Sequence, residues 1–250
     1  MTGSPAPRPP ALRGCRVAAV IPALNEAGSI GLTVARIPRA LVDQVIVVDG
    51  NSTDGTAAAA RAQGAEVLLE PRAGYGQACA SGAAHAAASG ADIIVFMDGD
   101  GCDAIEECAV LILPIADDTA DFVMASRTRG LREPGSMGIH QVIAGRLIGR
   151  LVGLTCGVRY SDMCAFRSIR TRTLERLGMA EMSYGWNLEM QMRVAIRGLR
   201  VREVALPYRR RAAGESKVSG NLRNSLRAAA RILLTAFRVS RQARGVRTAA

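Results

Sequence analysis

Short β-branched runs alternate with alanine-rich stretches along the first half of this chain, and that alternation constrains the fold more than any other feature. Runs of strand length fall at Arg16 to Ile21, Gln44 to Val48, Glu66 to Leu69, Ile93 to Met97 and Phe122 to Ser126. Helical patterns fill the gaps at Ser29 to Arg36, Thr56 to Gln63, Gln77 to Ser89 and Ile105 to Ile112. A βαβα order predicts an α/β fold, with a mostly parallel central sheet and helices on both faces. Ligands of such sheets bind beyond the carboxyl ends of the strands. Here those ends are polar: Pro22-Ala-Leu-Asn25-Glu26 follows the first run, Asp49-Gly-Asn51-Ser52-Thr53-Asp54-Gly55 the second, and Asp98-Gly-Asp100 the fourth.

Residues i and i+2 of an extended chain point the same way, so Asp98 and Asp100 are placed to converge on one ion, with Gly99 admitting a ligand to the backbone. Two carboxylates suit Mg²⁺ or Mn²⁺, which is held by one or two carboxylates together with substrate phosphates. The competing reading of the same residues is a solvated Asp-Gly turn. Asp49 is placed to accept hydrogen bonds from a nucleobase or ribose, whereas Asn51 to Asp54 also reads as a turn and helix cap. In Arg72-Ala-Gly74-Tyr75-Gly76-Gln77 the glycines are positioned to admit a phosphate or sugar to a helix N-terminus.

The chain has 250 residues, enough for one sizeable α/β domain with a tail. Its six cysteines show no metal-binding spacing and read as reduced thiols in a cytosolic setting, with no zinc site. Residues 1–14 read as a disordered leader, 15–220 as the folded domain, and 221–250 as a basic amphipathic helix and tail. No window has the roughly 18 apolar residues of a membrane span. The net charge of +10 comes from arginines concentrated after Arg127, with Lys217 the only lysine, and implies an anionic partner. Aromatic residues are too sparse to interleave with the basic ones as in a single-strand nucleic-acid platform, so no nucleic acid is expected. Beyond Arg127, helices are expected at Ile139 to Leu154, Asn187 to Arg197 and Asn221 to Val239, and strands at Cys164 to Ile169 and Leu199 to Leu206. The last helix suits either an anionic membrane surface or a domain face that buries its leucines and solvates its arginines.

In order and spacing, several segments resemble the family 2 inverting glycosyltransferases of the GT-A, Rossmann-like fold. They are Val20-Ile-Pro22-Ala-Leu-Asn25-Glu26, Val47-Val-Asp49-Gly-Asn-Ser-Thr-Asp54-Gly-Thr56, Gly74-Tyr-Gly76, Met97-Asp98-Gly-Asp100, Trp186-Asn-Leu-Glu189-Met190 and Gly214-Glu-Ser216-Lys217. With Asp162 before Phe166-Arg167, the second half looks closest to polyprenyl (dolichyl) phosphate sugar synthases. The resemblance implies a nucleotide-sugar pocket lined by Pro22, Asn25, Glu26, Asp49 and Asp98, and a metal held by Asp98 and Asp100. It implies hexose transfer from a UDP-glucose or GDP-mannose type donor to a polyprenyl-phosphate-like lipid, in the cytoplasm or on the cytoplasmic membrane face, without an obligate protein partner.

The leaving diphosphate needs cations as well as the metal. Asp100, Arg127 and Glu189 are the catalytic candidates, and Arg146, Arg209, Arg211 and Lys217 the candidates for acceptor or phosphate binding. A lipid phosphate is already anionic, whereas a sugar hydroxyl needs a base, and Glu189 is the candidate for that alternative. Cys102 stands where related synthases often place a glutamine. The Gly135 to Ile148 segment lacks the central arginine those synthases often carry, and Arg146 is its possible substitute. Two other classes compete. An Asp-x-Asp phosphohydrolase would carry its acidic pair on the first strand, and a non-catalytic basic adaptor would bind no nucleotide sugar.

Overall fold

The computed structural model describes residues 7–213 and 222–248. Its seven strands are β1 (Val17–Ala23), β2 (Gln44–Asp49), β3 (Glu66–Leu69), β4 (Ile93–Phe96), β5 (Phe122–Ser126), β6 (Arg167–Arg170) and β7 (Val201–Ala205). They form one sheet in the order β3-β2-β1-β4-β6-β5-β7, parallel except that β6 runs antiparallel between β4 and β5. The helices are α1 (Ala27–Ala35), α2 (Thr56–Ala62), α3 (Tyr75–Ala88), α4 (Ala109–Ala116), α5 (Ile139–Cys156), α6 (Thr171–Leu177), α7 (Trp186–Ile196) and α8 (Leu222–Thr248). β1, β4 and β5 are buried almost throughout, so they read as continuous apolar runs and not as alternating ones. In α3, Gly82 lets the helix lie close on β1 and β2, since a Cβ there would stand 2.5 Å from Val20 and 2.8 Å from Val48.

This topology creates the crevice. β1 has β2 on one side and β4 on the other, so the winding reverses there, as at the ligand sites of open α/β sheets. Pairing of β1 with β2 continues to Ala23 and Asp49, whereas pairing with β4 stops at Val20 and Phe96. The strands therefore part at their carboxyl ends. Pro22 lies in the stretch beyond the β4 pairing, where one neighbouring strand is already gone and a missing N–H is tolerated.

Some boundaries differ from those read in the sequence. Residues 8–14 are not a free leader: Leu12 is fully buried, and the Arg8 guanidinium makes a two-pronged pair with Asp43 at 2.9 and 2.8 Å. The expected helix at 105–112 is a 3₁₀ turn, Ile105–Glu107, followed by α4, which starts later and runs past Pro114. α6 was not anticipated, because its short Thr-Arg-rich segment carries little helical periodicity. None of the six cysteines forms a disulfide.

α5 is set on the domain by glycines. Gly145, Gly149 and Gly153 recur every four residues and so share one face. A Cβ at Gly149 would stand 1.8 Å from the Tyr160 carbonyl oxygen, and one at Gly153 would stand 2.6 Å from the Arg159 side chain. Ile143, Leu147, Leu151 and Leu154 lie about 120–200° round the helix from Gly149 and are exposed, Leu154 at 84%. A Gly149→Ala protein should melt about 2–12 °C lower, since the clash is with backbone and overpacking costs about 1–3 kcal/mol. An unchanged melting curve would show that α5 can shift freely.

Candidate active site

The rim of the crevice is built from strand tips. After β1, Asn25 adopts φ 49° and its side-chain oxygen accepts the Thr53 N–H at 2.9 Å, while its own N–H donates to Ser52 Oγ at 2.8 Å. The Glu26 N–H donates to Thr56 Oγ1 at 2.8 Å. Asp49, buried at the end of β2, accepts the Ser52 N–H at 2.9 Å. The loops after β1 and β2 thus brace one another, which brings Pro22, Asn25, Glu26 and Asp49 to one side of the crevice. Asp54 does act structurally: it accepts the N–H groups of Ala27 and Thr56.

The acidic loop after β4 forms the other side. The strand ends at Phe96 and Asp100 falls in the turn that follows, so Asp98 and Asp100 are not i and i+2 of a strand. Gly99 faces the core: a Cβ there would meet Ile30 at 3.2 Å, so its smallness serves packing and not ligand access. Asp98 accepts the Tyr75 hydroxyl at 3.2 Å. Asp100 accepts the Cys102 N–H at 3.0 Å and pairs with the Arg211 guanidinium at 3.0 Å. Arg211 also reaches Glu26 at 2.8 Å, so one arginine from the chain after β7 ties the β1 loop to the β4 loop.

A third carboxylate, Asp103, was not singled out in the sequence. It is buried, accepts the Asp98 N–H at 3.4 Å and lies 3.8 Å from the Cys164 thiol. Burial first, and then the charges of neighbouring aspartates, push Asp98 and Asp103 above the ordinary carboxylate range, against the opposing pull of Arg127. Carboxylates that hinder one another's ionisation in this way fit a hard divalent cation. Among the described residues, no cluster of three or more His, Cys, Asp or Glu side chains has the geometry to hold a metal ion. A cation held by Asp98 and Asp100 would leave its remaining positions to ligand oxygens. The Cys102 thiol is buried, and that burial pushes it well above its ordinary range.

Of the other candidates, Arg127 lies close enough to the acidic loop to pull on Asp98 and Asp103. The Arg127 guanidinium makes two 2.7 Å bonds to Asp162, its N–H a third at 3.0 Å, and it stacks 5.2 Å from the centre of the Tyr208 ring. Asp162 is held below the usual range, since these bonds outweigh its burial. Glu189 is fully buried: it accepts the N–H groups of Ala180 and Glu181 at 2.9 and 2.6 Å and pairs with Arg193 at 2.8 Å and Arg238 at 3.1 Å. Arg209 is paired with Glu106. Arg146 lies on the exposed side of α5. Lys217 lies outside the described residues. Gly74 and Gly76 serve a different contact from the expected one. Cβ atoms there would stand 2.2 and 2.5 Å from the carbonyl oxygens of Met182 and Glu181, so their smallness admits protein backbone.

The chain is similar to known proteins over most of its length. The family model for glycosyl transferase family 2 matches residues 18–173. An uncharacterised glycosyltransferase of Mycobacterium tuberculosis is 34% identical over 86% of this chain and 95% of its own length. The undecaprenyl-phosphate mannosyltransferase of Micrococcus luteus is 31% identical over 83% of this chain and 89% of its own length. Among solved structures, glucosyl-3-phosphoglycerate synthase from M. tuberculosis, in complex with Mn²⁺, UDP and glucosyl-3-phosphoglycerate, superposes with a TM-score of 0.69. It is 25% identical, and the match covers 90% of this chain and 81% of that one. With the crevice at the sheet's switch point and the paired aspartates at its rim, the chain belongs to glycosyl transferase family 2.

Proposed function

We propose that this enzyme moves a hexose from a nucleotide sugar to a polyprenyl-phosphate-like lipid at a membrane surface, with Mg²⁺ or Mn²⁺ at Asp98 and Asp100. The nucleoside would lie along Pro22, Asn25 and Asp49, and the diphosphate beside Glu26, Arg211 and the acidic loop. A phosphate oxygen of the acceptor attacks the anomeric carbon as the bond to the diphosphate breaks, with inversion. The bound cation supplies neutralisation of the leaving diphosphate. Arg211, already spanning Glu26 and Asp100, adds a positive charge where that leaving group develops. An acceptor phosphate is anionic near neutral pH and needs no base. Arg127, bound by Asp162, serves as a positioning residue.

The observation that carries the lipid reading is α5. Its glycine face seats it against the 159–162 segment that holds Arg127, while its opposite side turns Ile143, Leu147, Leu151 and Leu154 outward with Arg146 and Arg150 exposed among them. It carries no acidic residue. No helix among the described residues is long and apolar enough to cross a membrane, and a basic helix with an outward apolar stripe suits a position in the headgroup region. The relative from Micrococcus luteus, named for undecaprenyl phosphate, supports the same acceptor class.

A hydroxyl acceptor has support from the glucosyl-3-phosphoglycerate synthase likeness. Against it, Glu189, the base that reading requires here, is already bound by two peptide N–H groups and two arginines. The test is to incubate the protein with Mn²⁺, labelled UDP-glucose or GDP-mannose, and either polyprenyl phosphate or 3-phosphoglycerate. Label should enter the organic phase with one donor. Label found only in a water-soluble product would overturn the lipid reading.

A further inference from the structure

α8 connects the molecular surface to the acidic loop through contacts that involve no substrate. Its outward side carries Leu233, Leu234 and Phe237 at 60, 63 and 62% exposure, with the Arg241 guanidinium 5.6 Å from the Phe237 ring centre. Its inward side buries Ala228, Thr235, Ala236 and Val239. Leu233, Leu234 and Phe237 thus do not pack on the domain, whereas Ile232, Ala236 and Val239 do.

From that inward side Thr235 Oγ1 hydrogen-bonds Glu181 at 3.1 Å, and Arg238 reaches Glu189 at 3.1 Å and Glu181 at 3.7 Å. Glu189 in turn holds the N–H groups of Ala180 and Glu181. The 180–183 segment is therefore gripped from outside by α8. From inside it rests on the start of α3, where the Gln77 N–H donates to the Met182 carbonyl at 2.9 Å and the backbone lies against Gly74 and Gly76. Between those glycines stands Tyr75, whose hydroxyl bonds Asp98.

Glu181 and Glu189 are buried carboxylates; without Arg238 and Thr235, Glu181 would keep Ser183, and Glu189 would keep Arg193 and its two peptide N–H groups, so the pair would lose the cation they share, a costly change out of water. The conformation of 180–183 therefore depends on α8 being seated. An arginine-rich helix with an unpartnered apolar stripe draws little stability from its own propensity in water, and gains it by sinking that stripe into a headgroup region. Neither α5 nor α8, which touch one another, contains an acidic residue, so their charge matches an anionic bilayer.

We propose that docking of α8 on an anionic bilayer is linked to donor binding. Bilayer contact stabilises seated α8, which through Arg238, Glu181, Glu189 and the 180–183 segment holds Tyr75 against Asp98, so that nucleoside diphosphate and divalent cation bind the membrane-bound enzyme more tightly. The proposal rests on the donor and membrane readings above and adds their coupling. Linkage is reciprocal, so nucleotide and cation must raise bilayer affinity by the same factor. Arg238, Glu181 and Glu189 are positioning residues in this scheme.

The test uses the full chain, Mn²⁺ and UDP or, separately, GDP, with phosphatidylglycerol vesicles and no acceptor. The Kd of whichever nucleotide binds should fall about fivefold or more on vesicles, the lower end of typical couplings, and saturating nucleotide should raise cosedimentation by the same factor. Arg238→Met should reduce the effect below about twofold. Tyr75→Phe should do the same while leaving vesicle binding intact, which separates lost linkage from a disturbed α8. Equal nucleotide affinity with and without vesicles, in protein shown to be bound, overturns the proposal, as does coupling that survives both substitutions. Absence of vesicle binding overturns the membrane reading and this linkage with it, whereas failure of both nucleotides to bind strikes the donor reading on which the linkage depends.

Discussion

Asp100→Asn should lower kcat about a thousandfold or more while leaving the fold in place. The amide keeps an oxygen for the Cys102 N–H, so the turn after β4 retains its bond. What disappears is the charge. The proposed metal site would be reduced to one carboxylate, and stabilisation of a leaving diphosphate is among the largest single contributions to such a reaction. Arg211 keeps Glu26 as a partner at 2.8 Å, so the stability cost should be about 1 kcal/mol. Transfer rates measured across a Mn²⁺ titration, beside a thermal melt, check both halves. A kcat within tenfold of the parent, at saturating Mn²⁺, would remove Asp100 from the donor machinery.

The second large effect is on stability. Asp162→Asn should destabilise the protein by about 3–5 kcal/mol, lowering its melting temperature by about 6–20 °C. Asp162 is nearly inaccessible, with 2% of its side chain exposed, and receives three bonds from Arg127 and one from the Met163 N–H at 2.7 Å. Neutralising it leaves the Arg127 charge uncompensated. Replacing both residues, Arg127→Met with Asp162→Leu, should recover most of the loss, because an apolar pair avoids the desolvation that a buried ion pair must overcome. The pH dependence has a definite sign. The folded-state pKa of Asp162 lies below its unfolded value, so its contribution is present above the ordinary carboxylate range and is lost as pH falls through the folded value. Denaturant melts from pH 7 down to 3 should show that acid-side loss in the parent and not in the double variant. A single variant that melts with the parent would show that the pair contributes little.

Much of the polar rim of the crevice is legible in the sequence alone. The strand tips, Pro22 to Glu26, Asp49 and Asp98 to Asp100, are polar punctuation after buried runs, and the period of the pattern alone places them at one edge of a sheet. Glycines were legible as necessary but not as to purpose. Gly74, Gly76 and Gly99 were read as openings for a ligand, yet each accommodates protein. A residue without a Cβ marks a close approach and does not say what approaches. Glu189 shows the same limit from the charged side: its place one turn into α7 suits a base or a buried partner equally well. The choice depends on Arg193, Arg238 and two peptide N–H groups, of which Arg238 is 49 residues away.

Periodicity and strand-end chemistry, both local properties, were enough to establish the α/β class, the parallel core, the acidic pair and the basic tail. Which charges find one another is not local. Arg211 lies 185 residues from Glu26, and Arg127 lies 35 from Asp162. Their pairing follows from the strand order, which places the chain after β7 across the mouth of the crevice. The outward turn of Leu233, Leu234 and Phe237 was equally open beforehand. A helix with apolar residues on more than one side can bury either, and close packing of Ala228, Thr235, Ala236 and Val239 against the domain is what leaves the larger side chains facing out.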